Sequence, residues 1–432
     1  MESPDLRPDT NEFVIEAEKI NTNCLQQFLR TTRGELPTPS VPAVSTTDGA
    51  IPRRERGLPS SPAQLAIRPK PNVPEPKKTI TPERQEQLNK ELMQACMKKS
   101  INEALRLLQE GACPMALDSY GDNAFQTAAM YGCLPIIQAF ITHGVDVDSA
   151  GSRGNTALHW ASEHFHDNIV EFLLTQRANI DAVNSDGRTP LILAALEGND
   201  QTTVRLIVGG AKLNHQDKTG STALHYVVEN KDEKYRKMAA ALLVRKADPG
   251  IHDNNNYTPL HRAAAHNCTI QIHILLSEGA NIEEIGGKHG TTPLHKACWE
   301  GSLEAVKTLL GLGANIRAKS GYDDNLPIHI AARKNFTEIG TDILDRDKDC
   351  ISEKDSDGWT PLHIAARWNS VEFARLLISK GADPRVRNNA SKTPRDLTVP
   401  IVQYSMRKLL EKAEEDRKPV VYHLNRDPSI YY

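Results

Sequence analysis

His159, His225, His261, His295, His329 and His363 are the side chains that most readily suggest chemistry, because imidazole is both a proton shuttle and a common metal ligand. Their spacing points elsewhere. Ligands of one tetrahedral site converge within a few ångströms, whereas these histidines return after about 33 residues, or about twice that, as one structural task repeated would. The task that fits is hydrogen bonding between adjacent loops. His164 and His166 in "EHFHD" form a looser metal pair with no third ligand near them in sequence. The seven cysteines (Cys24, Cys96, Cys113, Cys133, Cys268, Cys298, Cys350) lie far apart, with no CxxC and no fixed histidine partner. No GxxxxGK[ST], GxGxxG, HExxH or GxSxG string occurs. The expectation is a protein with no catalytic residues, metal or cofactor.

The same interval governs far more than histidine. One phrase starts at Asn123 ("NAFQTAA"), Thr156 ("TALHWAS"), Thr189 ("TPLILAA"), Thr222 ("TALHYVV") and Thr258 ("TPLHRAA"). It continues at Thr292 ("TPLHKAC"), Leu326 ("LPIHIAA"), Thr360 ("TPLHIAA") and Thr393 ("TPRDLTV"), with steps of 33, 33, 33, 36, 34, 34, 34 and 33 residues. Thr offers an oxygen to the unpaired amides of a helix start, and Pro suits the first helical position. The Leu and the Ala pair place one large and two small apolar groups where a neighbour approaches closely. A second stripe, such as Val371, Phe373, Leu376 and Leu377, marks a second helix, and Gly381 supplies the residue free to take positive φ where it ends. Each unit reads as helix, turn, helix and an extended hairpin loop.

By its period and its T-P-L-H-x-A phrase, the stretch from Thr81 to about residue 415 resembles the ankyrin-repeat family. The resemblance implies an all-α ankyrin-repeat solenoid whose inner helices and hairpin tips line a concave face. One unit cannot hide its apolar side, so units stack and the ends need caps. The segment from Thr81 aligns to the template with Ala95 and Cys96 at the Ala-pair positions. It has few other apolar residues, as an N-terminal cap would. The segment from Thr393 carries Pro400 where a first helix would run and closes in a charged helix, as a C-terminal cap would.

Composition bounds the rest. Aromatics are only 5% of the 432 residues, which favours thin layers of Ala and Leu over a globular enzyme core, and a net charge of −3 gives no general pull toward nucleic acid. The acidic N-terminus is unlike a secretory signal, and the longest apolar run, 238–244, is far short of the roughly 20 residues of a membrane span. Scattered free thiols suit a reducing compartment. The protein is expected to be monomeric and cytoplasmic, with the nucleus as a second location.

Residues 1–78 differ in kind from the repeat domain at 79–417 and the tail at 418–432. Prolines recur from Thr31 to Lys78 among Ser, Thr, Arg and Lys, a mixture expected to be a disordered arm. Within it Arg68, Pro71 and Pro74 have the RxxPxxP spacing that an SH3-domain protein would read. Upstream, Phe13, Ala17, Ile20, Cys24 and Phe28 fall at helical spacing, predicting a short amphipathic helix near 12–30 that docks on a partner or on the chain's own groove.

Function is expected at positions that the repeat leaves free. At the N-terminal end these hold Tyr120 and Tyr131. Toward the C-terminus they hold Trp299, then Arg333 and Lys334, then Arg367 and Trp368, with Trp359 at a hairpin tip. Trp and Arg bring large contact area and directional bonds, so they dominate interface energetics. The reading is a protein-protein scaffold or adaptor that takes an acidic peptide on this ladder. Two alternatives stand beside it: an inhibitor or cofactor of a transcription factor, resembling the NF-kappa-B inhibitors, and a substrate-recruiting subunit of a ligase or phosphatase complex.

Overall fold

The computed structural model describes residues 80–417, apart from 152 and 401. The arm motif at Arg68, Pro71 and Pro74, the helix expected near 12–30 and the tail at 418–432 lie outside the described residues. Nineteen α-helices stand in two rows, with no β-strand among the described residues and only two isolated bridges.

The inner row holds α1 (Pro82–Met97), α3 (Ala124–Tyr131), α5 (Ala157–Glu163), α7 (Pro190–Glu197), α9 (Ala223–Val227), α11 (Pro259–Ala265), α13 (Pro293–Glu300), α15 (Pro327–Lys334) and α17 (Pro361–Trp368). The outer row holds α2 (Ile101–Gln109), α4 (Leu134–Thr142), α6 (Asp167–Thr175), α8 (Asp200–Val208), α10 (Glu233–Val244), α12 (Thr269–Ser277), α14 (Leu303–Gly311), α16 (Thr337–Arg346), α18 (Val371–Ser379) and α19 (Tyr404–Asp416). Each helix packs on its partner and on the next helix of its own row. Before α19 a 3-10 turn at Arg395–Leu397 stands in for an inner helix.

The helix starts explain the recurring histidine. In α5 the Thr156 amide donates to Nδ1 of His159 at 3.1 Å, so that nitrogen is the acceptor and the proton sits on Nε2. Nε2 then donates to the Arg188 carbonyl of the next hairpin at 3.1 Å. The same relay joins His225 to Tyr257, His261 to Thr291, His295 to Asn325, His329 to Trp359 and His363 to Lys392, at 2.8–3.2 Å. Where the phrase reads "NAFQTAA", Gln126 does both jobs: Oε1 accepts from the Asn123 amide at 3.1 Å and Nε2 donates to the Asn155 carbonyl at 2.8 Å. Leu326 offers no hydroxyl, yet its amide still reaches His329 at 3.1 Å.

A second ladder joins the hairpin tips. Backbone amides of Ser185, Lys218, Asn254, Gly287, Gly321, Ser356 and Asn389 each donate to a carbonyl of the preceding tip at 2.8–3.1 Å. The tips turn through one residue of positive φ, usually glycine, as at Gly358 (φ 76°). Asn256 (φ 63°), Asp324 (φ 52°) and Ser391 (φ 58°) take that role at the three tips that lack it.

Apolar side chains from both rows form one continuous core from Leu88 to Leu410. The Ala-pair positions are fully buried along the row, at Ala128 and Ala129, Ala194 and Ala195, Ala331 and Ala332, which lets the inner helices approach closely. One repeat breaks the pattern: α9 has five residues, and the twelve-residue α10 follows the three-residue insertion near Asn230.

The relay makes the stack sensitive to acid. Burial lowers His159, His225, His261, His295 and His329 from 6.5 to about 4, and lowers His363 in the same direction. Above 6.5 the ring is neutral both folded and unfolded. As pH falls below that, the unfolded chain takes up protons that the fold refuses, so stability is lost down to about 4, by about 2 kcal/mol per histidine at pH 5. Thermal melts are expected to be flat from pH 8 to 7 and to drop steeply toward pH 4.5, with roughly five protons bound on unfolding at pH 5. A midpoint indifferent to pH across that window would mean the relay is not neutral in the fold.

Candidate partner-binding surface

The last turns of α13, α15 and α17 follow two buried small residues, and these set where the next side chains stand. Ala297 with Cys298, Ala331 with Ala332, and Ala365 with Ala366 are all buried. The helices then stop on Gly301, Asn335 and Asn369, each in the left-handed conformation. Trp299, the Arg333 and Lys334 pair, and the Arg367 and Trp368 pair therefore occupy matching places on α13, α15 and α17.

The side chains interleave. The Arg333 guanidinium lies 4.2 Å from the ring centroid of Trp368 and 5.2 Å from that of Trp299, and Lys334 Nζ lies 4.1 Å from Trp299. Arg333 is thus held between two indoles from the repeats on either side, by the attraction of a cation for the ring face. Trp299 is 36% exposed and Trp368 52%. Glu300 beside Trp299 is taken by Lys296 at 2.8 Å. Among the described residues no carboxylate pairs with Arg333, Lys334 or Arg367. The guanidinium N–H groups of Arg333 meet no acceptor among the described residues and are left for a bidentate acceptor such as a carboxylate.

Trp359 does not join this stack. It is half-buried against the core, its amide donates to Asp355 Oδ1 at 2.7 Å, and its carbonyl receives His329. The surface continues instead onto residues that the sequence reading passed over. Gln403 Nε2 donates to the Arg367 carbonyl at 3.4 Å and ties the cap loop to the end of α17; around Gln403 in sequence Val399, Val402 and Tyr404 are exposed, Val402 by 77%. At the other end of the row Tyr120 (75%) and Tyr131 (37%) are also exposed, without aromatic or cationic partners among the described residues.

Between the two ends lies a polar knot. Arg262, on α11, donates to Glu229 Oε1 at 2.7 Å, to Ser221 Oγ at 2.7 Å and to Asp253 Oδ2 at 2.5 Å, and packs over the ring of Tyr226, whose hydroxyl donates to Asp217 at 2.5 Å. Burial pushes the Asp253 carboxyl up, but the Tyr257 amide and Arg262 outweigh it and hold it below its ordinary value. Further toward the N-terminus the helix ends carry carboxylates. Glu163 and Glu197 end α5 and α7 with no ion pair among the described residues, and Glu163 is raised, first by burial and also by Glu197.

The other sequence-level candidates have local tasks. His164 Nδ1 faces the Trp160 carbonyl at 3.1 Å, and His166 Nε2 faces that of Met130 at 2.9 Å. Among the described residues no three His, Cys, Asp or Glu side chains gather as a metal site would require. Cys96, Cys113, Cys133, Cys268, Cys298 and Cys350 are unbridged, and burial pushes Cys96 up to about 12 and Cys268 to about 11, too high for a thiolate nucleophile. No helix among the described residues is long and apolar enough to cross a membrane.

The repeat geometry agrees with sequence comparison. Four overlapping matches to the family described as ankyrin repeats (3 copies) cover residues 92–184, 167–243, 232–320 and 314–388. The chain belongs to the ankyrin-repeat family. Ankyrin repeats are in general protein-protein interaction modules.

Knot and ladder should respond differently to truncation. Arg262→Ala strands Asp253, whose side chain is 2% exposed, and is expected to cost about 3–5 kcal/mol of stability. Trp368→Ala removes an exposed stack worth about 0.5–1 kcal/mol. Urea melts of both variants check this; equal losses would show that Trp368 is structural packing.

Proposed function

We propose that this ankyrin-repeat protein is a non-enzymatic adaptor or scaffold whose partner docks on Trp299, Arg333, Lys334, Arg367 and Trp368. The observation that carries the reading is a set of cations without carboxylate partners, one of them fixed between two exposed indoles, on the last turns of the inner helices of an ankyrin-repeat stack. Lys380, by contrast, is paired with Asp345 at 2.6 Å. Fixing Arg333 in advance lowers the entropy lost on binding. The ligand that fits is an acidic peptide: its carboxylates meet the cations edge-on, and its apolar side chains cover Trp368 and the exposed Val402 and Tyr404. Unbridged thiols support a cytoplasmic or nuclear setting for the complex.

Affinity capture from cells with the full-length chain, followed by titration of the captured partner, tests the assignment. Arg333→Ala and Trp368→Ala are each expected to weaken the partner by about 1–4 kcal/mol, with thermal midpoints nearly unchanged. Added salt is expected to slow association. Full affinity in both variants would move the binding surface to the Tyr120 and Tyr131 end.

A further inference from the structure

The cationic surface has a candidate ligand within its own chain, an inference that rests on reading the ladder as an acidic-peptide site. The last turns of the inner helices differ in charge between the two halves of the row. Unpaired Glu163 and Glu197 lie on α5 and α7, and unpaired Arg333, Lys334 and Arg367 lie on α15 and α17. The sequence preceding Ile80 carries the complementary signs in the matching order. Nearest the repeats, residues 53–78 hold Arg53, Arg54, Arg56, Arg68, Lys70, Lys77 and Lys78 against Glu55 and Glu75. Furthest from them, residues 2–20 hold Glu2, Asp5, Asp9, Glu12, Glu16 and Glu18 against Arg7 and Lys19. A chain leaving α1 along the inner face would set its basic stretch beside the acidic repeats and its acidic end beside the cationic ones.

We propose that residues 2–20 occupy the Trp299, Arg333 and Trp368 surface of the same molecule and compete there with the outside partner. Glu12 and Glu16 are four residues apart and flank the apolar series Phe13, Ala17 and Ile20, so a helical turn would offer carboxylates to Arg333 and Lys334 and an apolar stripe to the indoles. Reach is sufficient. Ile20 and Ile80 are 60 residues apart, an extended span of about 200 Å. The ladder lies six to eight inner helices beyond α1, about 50–80 Å at roughly 8–10 Å per packed helix. Tethering gives the segment a high effective concentration, so a contact too weak to hold two free molecules together still fills the site. Docking then lowers the apparent affinity of any outside acidic ligand by the fraction of surface left open.

Zero-length cross-linking of the intact protein tests this. Equal amounts of unlabelled and ¹⁵N-labelled full-length chain are mixed and treated with a water-soluble carbodiimide, which joins a carboxylate to an amine only in contact. The digest is read by mass spectrometry. The expected product joins Glu12 or Glu16 to Lys334 within light-light and heavy-heavy peptides. It is lost in a Trp299→Ala/Trp368→Ala double variant that melts like the wild type, and it declines with added salt. In the same preparations Glu12→Lys/Glu16→Lys is expected to raise affinity for the captured partner. Absence of any product between residues 2–20 and Lys334 overturns the proposal. Light-heavy products as abundant as like pairs also overturn it, assigning the segment to a second copy. If capture of the outside partner fails on Arg333→Ala while the wild type gives no such product, the adaptor reading stands and self-occupancy falls. If the product forms but capture ignores the ladder variants, the reverse holds.

Discussion

A neutral imidazole that accepts from its own helix start and donates to the next loop is the bond on which the solenoid depends. Each relay satisfies an amide that a helix N-terminus leaves unpaired and a carbonyl that the stacking of loops would otherwise bury without a donor. Because one ring serves both, the angle of a helix and the position of the following hairpin are set together, and the ladder of tip amides follows. The outer row then closes over whatever the inner row has fixed. Only a side chain that can accept at one end and donate at the other does this, which is why Gln126 can stand in for histidine.

The functional surface is a by-product of the same regularity. Buried Ala pairs leave the next two residues no choice but to emerge from the last turn, in register from repeat to repeat. Trp299, Arg333 and Trp368 can interleave because they sit on three adjacent copies of one turn. A globular fold would have to position three such side chains separately.

Much of this was legible in the sequence, since the period, the Thr-Pro start and the Ala pair each name a helix and its buried side. The hairpin-bridging role of histidine followed from its interval alone. Contacts that cut across the template were less visible. Trp359 and Trp368 both occupy variable positions, but a residue just after the positive-φ turn has its backbone tied into the relay, and its ring lies against its own repeat. Val402 and Tyr404 fall where the last copy decays into a cap, and no repeat column could flag them. Arg262 takes partners from four different columns, at Ser221, Glu229, Asp253 and the Tyr226 ring, and only the folded chain brings them together.

The knot around Arg262 also bears on how such a chain can change its length. Counted from its Thr to the residue before the next, a unit carries both ends of its relay, as His159 and Arg188 do, so gain or loss of a whole unit by recombination leaves the relays intact. The units beginning at Thr222 and Thr258 are not interchangeable in that way. Separating them takes Glu229, Asp253 and the Tyr226 ring from Arg262 together, which makes this pair an indivisible module within an otherwise extensible array.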